Sequence, residues 1–279
     1  MNLIPSAIAA VVLCLSPKAL PAAEFFAFDN GTGRGRLAPE AQAEMLAELG
    51  YAGIGYTGAQ GIPEMLAALD KHRLKMHSIY VGAKLGPDGP SYDPNLAEGI
   101  RALKGRPTIV WLFITGNAPG GDQQAVQVVR EVADLAAASG LRVALYPHVG
   151  FYVARTEDAL RVVEKVERKN VGVSFNLCHF LKLDDQQNLE PLIAKAAGRL
   201  FLVSINGADS GQTQKMGWDR LIQTLDRGSF DVGKLLKALK RHGYTGPVGL
   251  QCYAVKGDTR ENLRRSMSAW LKYTGGGRE

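Results

Sequence analysis

Residues 231–255 read DVGKLLKALKRHGYTGPVGLQCYAV, and the fold is decided by how that passage changes period. From residue 231 to 242 the apolar side chains recur three and four apart among lysines and arginines, the spacing of an amphipathic helix. Gly243 comes where a helix needs a left-handed stop, because glycine reaches that backbone region without steric cost. After it, PVGLQCYAV (247–255) is a short apolar run that reads as a buried strand. A helix handing over to an apolar strand within a few residues is half of a βα unit.

The same alternation runs the length of the chain. Seven further candidate strands are FFAFDNG (25–31), YAGIGYTG (51–58), LKMHSIYVG (74–82), TIVWLFITG (108–116), RVALYPH (142–148), VGVSFNLCH (171–179) and LFLVSINGAD (200–209). Helical patterns fall at 39–49, 62–72, 95–103, 122–139, 156–167 and 189–197, with another at 259–273 after the last strand. Gly50 and Gly140 supply the same stop as Gly243, and Pro39 suits a first helical turn. Eight units in about 250 residues match one α/β domain, a single (β/α)8 TIM barrel, whose functional groups sit on the loops at the strand C-termini. A doubly wound open sheet is the structural alternative. It is disfavoured because DNGTGRGRL (29–37) has glycines, but the helix start at Pro39 comes too late for a phosphate-binding fingerprint.

Residues 1–23 carry an apolar run from Leu3 to Leu15, then Pro17 and small residues, and read as a secretory signal peptide without a basic start. The run is shorter than the roughly 20 residues a membrane-crossing helix needs, so no stable span is expected. Leu13 before Cys14 makes lipidation a lesser alternative. The barrel then occupies 24–279, in a secreted or periplasmic protein. The chain has 33 Lys and Arg against 27 Asp and Glu, a net +6, and loss of residues 1–23 removes only Lys18 among them. The remaining excess of +5 is spread along the helices as a solvated surface. With no dense basic cluster interleaved with aromatics, nucleic acid is not an expected partner. Cys178 and Cys252 are too few for a disulfide scaffold. Both are expected as buried thiols on strands of one sheet, with a disulfide as the alternative an oxidising compartment favours.

The strand ends collect a polar and aromatic set. It comprises Asp29, Asn30, Tyr56, His77, Tyr80, Trp111, Phe113, Tyr146, His148, Asn176, His179, Ser204, Asn206, Asp209, Gln251 and Tyr253. Sugars suit such a floor: their hydroxyls need donors and acceptors, and the apolar faces of their rings pack on aromatic groups. Trp111 and Phe113 share one strand face, which fits the barrel core as well as it fits sugar stacking. Ser204 and Asn206 share a face for the same reason.

LYPH (145–148), GVSFNLCH (172–179), VSINGAD (203–209) and LDRGSFDVGKLLKALKRHGYTGPVGLQCY (225–253) resemble the xylose isomerase-like TIM-barrel superfamily, often labelled sugar phosphate isomerase/epimerase. The resemblance runs from about Phe25 to Trp270. In that family the strand ends hold a divalent metal with Glu, Asp, His and Glu, and the two glutamates move protons. Carried over residue by residue, the four positions fall on Tyr146, Asn176, Ser204 and Gln251, so none of the usual ligands is kept. His148 and His179 match two other family positions, and His179 resembles the family's substrate-contacting histidine.

The resemblance therefore implies a degenerate metal site. Mg²⁺ and Mn²⁺ want anionic oxygens, so no cofactor is expected. A softer ion on His148 and His179, helped by Asn176 or Gln251, has only the weak support of two imidazoles. The expected function is an exported carbohydrate-active isomerase, epimerase or lyase acting on a free sugar or keto-sugar. Its catalytic residues are His148, His179 and Tyr146, with substrate held by Asn176, Gln251, Ser204, Asn206, Trp111, Tyr253 and His77. The second reading is a sugar-binding barrel without catalysis.

Overall fold

The structure, a computed structural model, describes residues 23–275 of the 279. All of the expected signal peptide except Ala23, and the last four residues, lie outside the described residues. Eight parallel strands alternate with helices: β1 (Phe25–Phe28), α1 (Pro39–Glu48), β2 (Gly53–Thr57), α2 (Ile62–Lys71), β3 (Lys75–Leu85), α3 (Leu96–Ala102), β5 (Ile109–Gly116), α4 (Gly121–Ala138), β6 (Arg142–Leu145), α5 (Thr156–Val166), β7 (Val171–Asn176), α7 (Leu189–Ala196), β8 (Leu200–Ile205), α9 (Val232–Arg241), β9 (Val248–Leu250) and α10 (Thr259–Thr274). Each strand pairs with the next, and β9 returns to β1 through Phe25↔Val248, Phe26↔Gly249 and Ala27↔Leu250. The sheet is thus a closed (β/α)8 barrel. A two-residue strand, β4 (Ser91–Tyr92), adds antiparallel to the overhanging end of β3.

Two short helices depart from the sequence pattern. The passage LCHFLKL, which reads as the end of a strand, turns into α6 (Leu177–Leu183), and α8 (Trp218–Leu221) lies in the long connection after β8. In α6, Leu177, Phe180 and Leu181 are buried at helical spacing. The expected left-handed stops are present, with φ of 81° at Gly50, 74° at Gly140 and 75° at Gly243.

One apolar layer lies between the barrel and its helices. A second fills the barrel itself, where Phe26, Phe28, Ile109, Trp111, Ala144, Tyr146 and Leu202 pack together. The two rings from β1 fit only because glycines face them. A Cβ at Gly55 would come within 2.4 Å of the Phe28 ring, and one at Gly249 within 2.5 Å. Phe28 therefore reaches Trp111, stacking at 4.5 Å between ring centres, and this aromatic layer floors whatever opens above it.

The two cysteines are buried and unbridged, but neither lies in a strand. Cys178 is in the first turn of α6 and Cys252 comes after β9. The strand placement expected for them is corrected by the early ends of β7 and β9. Among the described residues no helix is long and apolar enough to cross a membrane.

Candidate active site

A cavity of about 400 Å³ opens at the C-terminal ends of the strands. Its walls are built strand by strand from Phe28, Asp29, Asn30 and Arg34; Thr57; Tyr80; Trp111; Tyr146 and His148; Cys178 and His179; Trp218 and Ile222; and Gln251 and Tyr253. This is the volume of a small-molecule site. The floor is rigid: the Trp111 indole N–H donates to Ser174 Oγ at 2.7 Å, and Ser174 in turn donates to the Leu145 carbonyl at 3.0 Å.

The β6–β7 side carries the titratable groups. His148 Nδ1 lies 2.7 Å from the Val149 carbonyl oxygen. A carbonyl only accepts, so Nδ1 bears the proton and Nε2 keeps its lone pair. Burial lowers the His148 pKa, against the smaller opposing effect of that backbone bond. The ring is therefore neutral at pH 7. It stacks on Phe151 at 3.9 Å and lies 4.0 Å from the His179 ring, centre to centre. His179 is 6% exposed and its Nε2 is 2.9 Å from the Tyr146 hydroxyl. Burial, and then the neighbouring His148, push its pKa well below the usual histidine value. Its place in the first turn of α6, whose free N–H groups disfavour a cation, acts in the same direction.

The opposite side is organised by amides and one ion pair. Asn30 donates to the Gln251 side-chain oxygen, which also accepts the Tyr253 backbone N–H at 3.0 Å. That leaves the Gln251 N–H₂ for the cavity. Asp29 accepts from the Thr57 backbone N–H at 2.8 Å and hydroxyl at 2.7 Å, and pairs with Arg34 at 3.3 Å. Burial raises its pKa, while Thr57 and Arg34 hold it down. β1 and β6 stand four strands apart in the ring of eight, so this carboxylate and the histidines face each other across the barrel.

Of the expected site residues, Tyr146, His148, His179, Trp111, Gln251 and Tyr253 line the cavity together. His77 does not. It sits near the start of β3, its Nε2 at 3.4 Å from the Ala52 carbonyl and its ring stacked on Phe26, at the N-terminal end of the barrel. The third strand is long, and its early residues face away from the mouth. Asn206 is fully buried and donates to the carbonyls of Gly207 and Leu221. It thereby fixes α8 and positions Trp218 without contributing a cavity wall. Asn176 and Ser204 lie below the cavity lining, adjacent in register on β7 and β8. Asp209 staples its own loop through Arg220 and Ser229. Arg34, Thr57, Cys178, Trp218 and Ile222 line the cavity without having been expected there. An arginine soon after β1 and a tryptophan in the long connection after β8 were the available signals.

The four positions where the resemblance places metal ligands lie at the C-terminal ends of β6, β7, β8 and β9. They offer a phenol, two amides and a hydroxyl. The Tyr146 phenol is raised well above its usual pKa, chiefly by burial, so it is no phenolate at neutral pH. Asn176 Nδ2 and Ser204 Oγ are buried without partners. With no anionic oxygen, this set does not fit a hard divalent cation. Among the described residues no group of three or more His, Cys, Asp or Glu could hold a metal.

A closed parallel barrel with its cavity at the strand C-termini defines a TIM-barrel protein. The family described as Xylose isomerase-like TIM barrel matches residues 43–274, and the chain belongs to that family. No curated protein matches it in sequence. Among solved structures, an IolI protein with a bound zinc atom is similar at 17% identity and a TM-score of 0.69, over 91% of this chain and 98% of that one. The apo form of 3-keto-D-glucoside 4-epimerase (YcjR) from E. coli is 17% identical with a TM-score of 0.68, over 90% and 99%. D-Psicose 3-epimerase with D-tagatose, from Clostridium cellulolyticum H10, is 16% identical with a TM-score of 0.67, over 90% and 99%. At these identities the likeness establishes the fold.

Proposed function

We propose that the protein is an exported sugar isomerase, epimerase or lyase that moves a proton next to the carbonyl of a keto-sugar without a divalent metal. The observation that carries this reading is His148: a neutral imidazole, its Nδ1–H committed to Val149, with an unprotonated Nε2 in a sugar-sized cavity. Such a group is a competent general base at neutral pH. It removes the proton from the carbon beside the carbonyl, the C–H electron pair becomes the new carbon–carbon double bond, and the carbonyl oxygen takes up the negative charge. Gln251 N–H₂ is the cavity donor available to that oxygen, and the Tyr146–His179 pair lies beside the base. Return of a proton to the same or a neighbouring carbon completes epimerisation or isomerisation, and departure of a β-substituent gives elimination. Two of the similar structures are named as sugar epimerases, which agrees with this chemistry.

The test is proton exchange. Incubated in D₂O with a panel of ketoses and keto-glycosides, the protein is expected to exchange a carbon-bound proton of at least one sugar, read by NMR, and His148→Ala is expected to slow it by about 10²–10⁴-fold. Exchange at an undiminished rate in His148→Ala would overturn the assignment. The second reading, binding without turnover, is favoured by the absence of a carboxylate pair in the cavity. Stabilisation of the protein by a sugar that never exchanges would select it.

A further inference from the structure

Among the described residues five large apolar side chains are exposed, and two of them, Trp218 at 37% and Tyr253 at 60%, stand on the same cavity. Trp218 is packed in place. The Trp218 ring meets the His179 ring edge-on at 5.4 Å, and the Lys182 ammonium, tied to the Met216 carbonyl at 2.6 Å, lies 5.7 Å over it. Its helix is held by Asn206 through the Leu221 carbonyl. Tyr253 is anchored by its backbone N–H to Gln251, two residues in from the rim. The Trp218 ring is thus held against the cavity wall, Tyr253 is placed there through its backbone, and both rings leave apolar area in water. Exposed aromatics cost solvation free energy that a planar apolar ligand face recovers.

We infer that Trp218 and Tyr253 form an outer subsite for a second sugar ring, so that the substrate is a glycoside with its reacting ring at His148 and its neighbouring ring on these two aromatics. This rests on the sugar reading above and narrows it. The inner wall supplies the directional partners a reacting ring needs: Asn30 and Gln251, with His148 and Tyr146. The rim supplies flat apolar faces and few directional groups, which suits a ring that is held but not transformed. Tyr253 follows Gln251 by two chain steps, with Cys252 between them, so the rim aromatic stands within one ring's length, at most about 7 Å of chain, of an inner-wall amide.

The test measures calorimetric binding of matched pairs, a methyl glycoside and the β-1,4-linked disaccharide of the same sugar, in the gluco, galacto and manno series. In at least one series the disaccharide is expected to bind about tenfold or more tightly than the methyl glycoside. Tyr253→Ala, a change at an exposed position, is expected to bring that ratio close to one. Tyr253→Phe, which keeps the ring, is expected to retain the preference, and Trp218→Ala to reduce it. An aryl glycoside arm separates a sugar ring from a generic aromatic aglycone: an aryl glycoside that outbinds the disaccharide would overturn the assignment to a second sugar. Methyl glycosides that bind as well as disaccharides, or a disaccharide preference that survives Tyr253→Ala and Trp218→Ala together, would overturn the subsite and leave the sugar reading standing. Failure of every sugar to bind would overturn both.

Discussion

His77 and His179 are both buried histidines whose pKa burial pushes down, and they sit at opposite ends of one barrel. At the N-terminal end His77 is packed on Phe26, faces the Ala52 carbonyl and has Glu24 at 4.0 Å. It is a wall of the core. At the C-terminal end His179 meets the Tyr146 hydroxyl and the His148 ring, and all three line a cavity. A depressed histidine pKa reports burial at either end. What separates a structural imidazole from one poised for chemistry is whether a lone pair faces a volume a ligand can enter; His179 spends its nitrogens on Tyr146 and Val149, and beside it His148 keeps Nε2 free at the cavity.

The most severe way to break this comparison is to remove an imidazole at each end. His148→Ala is expected to lower sugar proton exchange by about 10²–10⁴-fold, the range for a general base, while His77→Phe is expected to leave it within about twofold. Equal losses from both would erase the distinction. The rate of the intact protein is expected to rise with pH through an apparent pKa below 6.5 and to be flat across neutrality, because the base works unprotonated and burial lowers its pKa.

The depressed pKa carries pH-dependent stability at either end, and at His77 it stands apart from the cavity. His77 is held neutral with a pKa of about 4 against 6.5 in the unfolded chain. The unfolded state binds the extra proton between those values, so the contribution is complete above pH 6.5 and is lost as pH falls towards 4. It amounts to about 3 kcal/mol. Urea unfolding from pH 7 to pH 4 is expected to show a shallower decline for His77→Phe than for the wild type by roughly that amount.

A smaller effect is expected from Tyr146→Phe. It removes one hydroxyl from the His179 pair, and about 1 kcal/mol, or some fivefold in exchange rate, is the scale of one such hydrogen bond. The smallest concerns metal. Mn²⁺ or Mg²⁺ at millimolar concentration is expected to leave the melting temperature unchanged, because a ligand stabilises only what it binds and the four strand-end positions are neutral.

The barrel was legible because eight apolar runs alternate with amphipathic helices, and glycine stops such as Gly243 mark the boundaries. The histidines at the mouth were legible because the end of a barrel strand aims the next few side chains at the cavity. His77 was misplaced because alternation gives the face of a residue but not its height along a strand, and β3 runs eleven residues. The helix α6 was hidden because Leu177, Phe180 and Leu181 continue an apolar run that suits strand and helix alike. Trp218 and Arg34 come from connections without periodicity, where side-chain direction is set by tertiary packing.

The central claim is the protonation state of His148, and ¹⁵N NMR of the histidine rings at pH 7 tests it most directly. A neutral ring protonated on Nδ1, with an unprotonated Nε2 whose signal shifts when a sugar binds, is the predicted result. A charged imidazolium, or a proton resident on Nε2, would contradict the account.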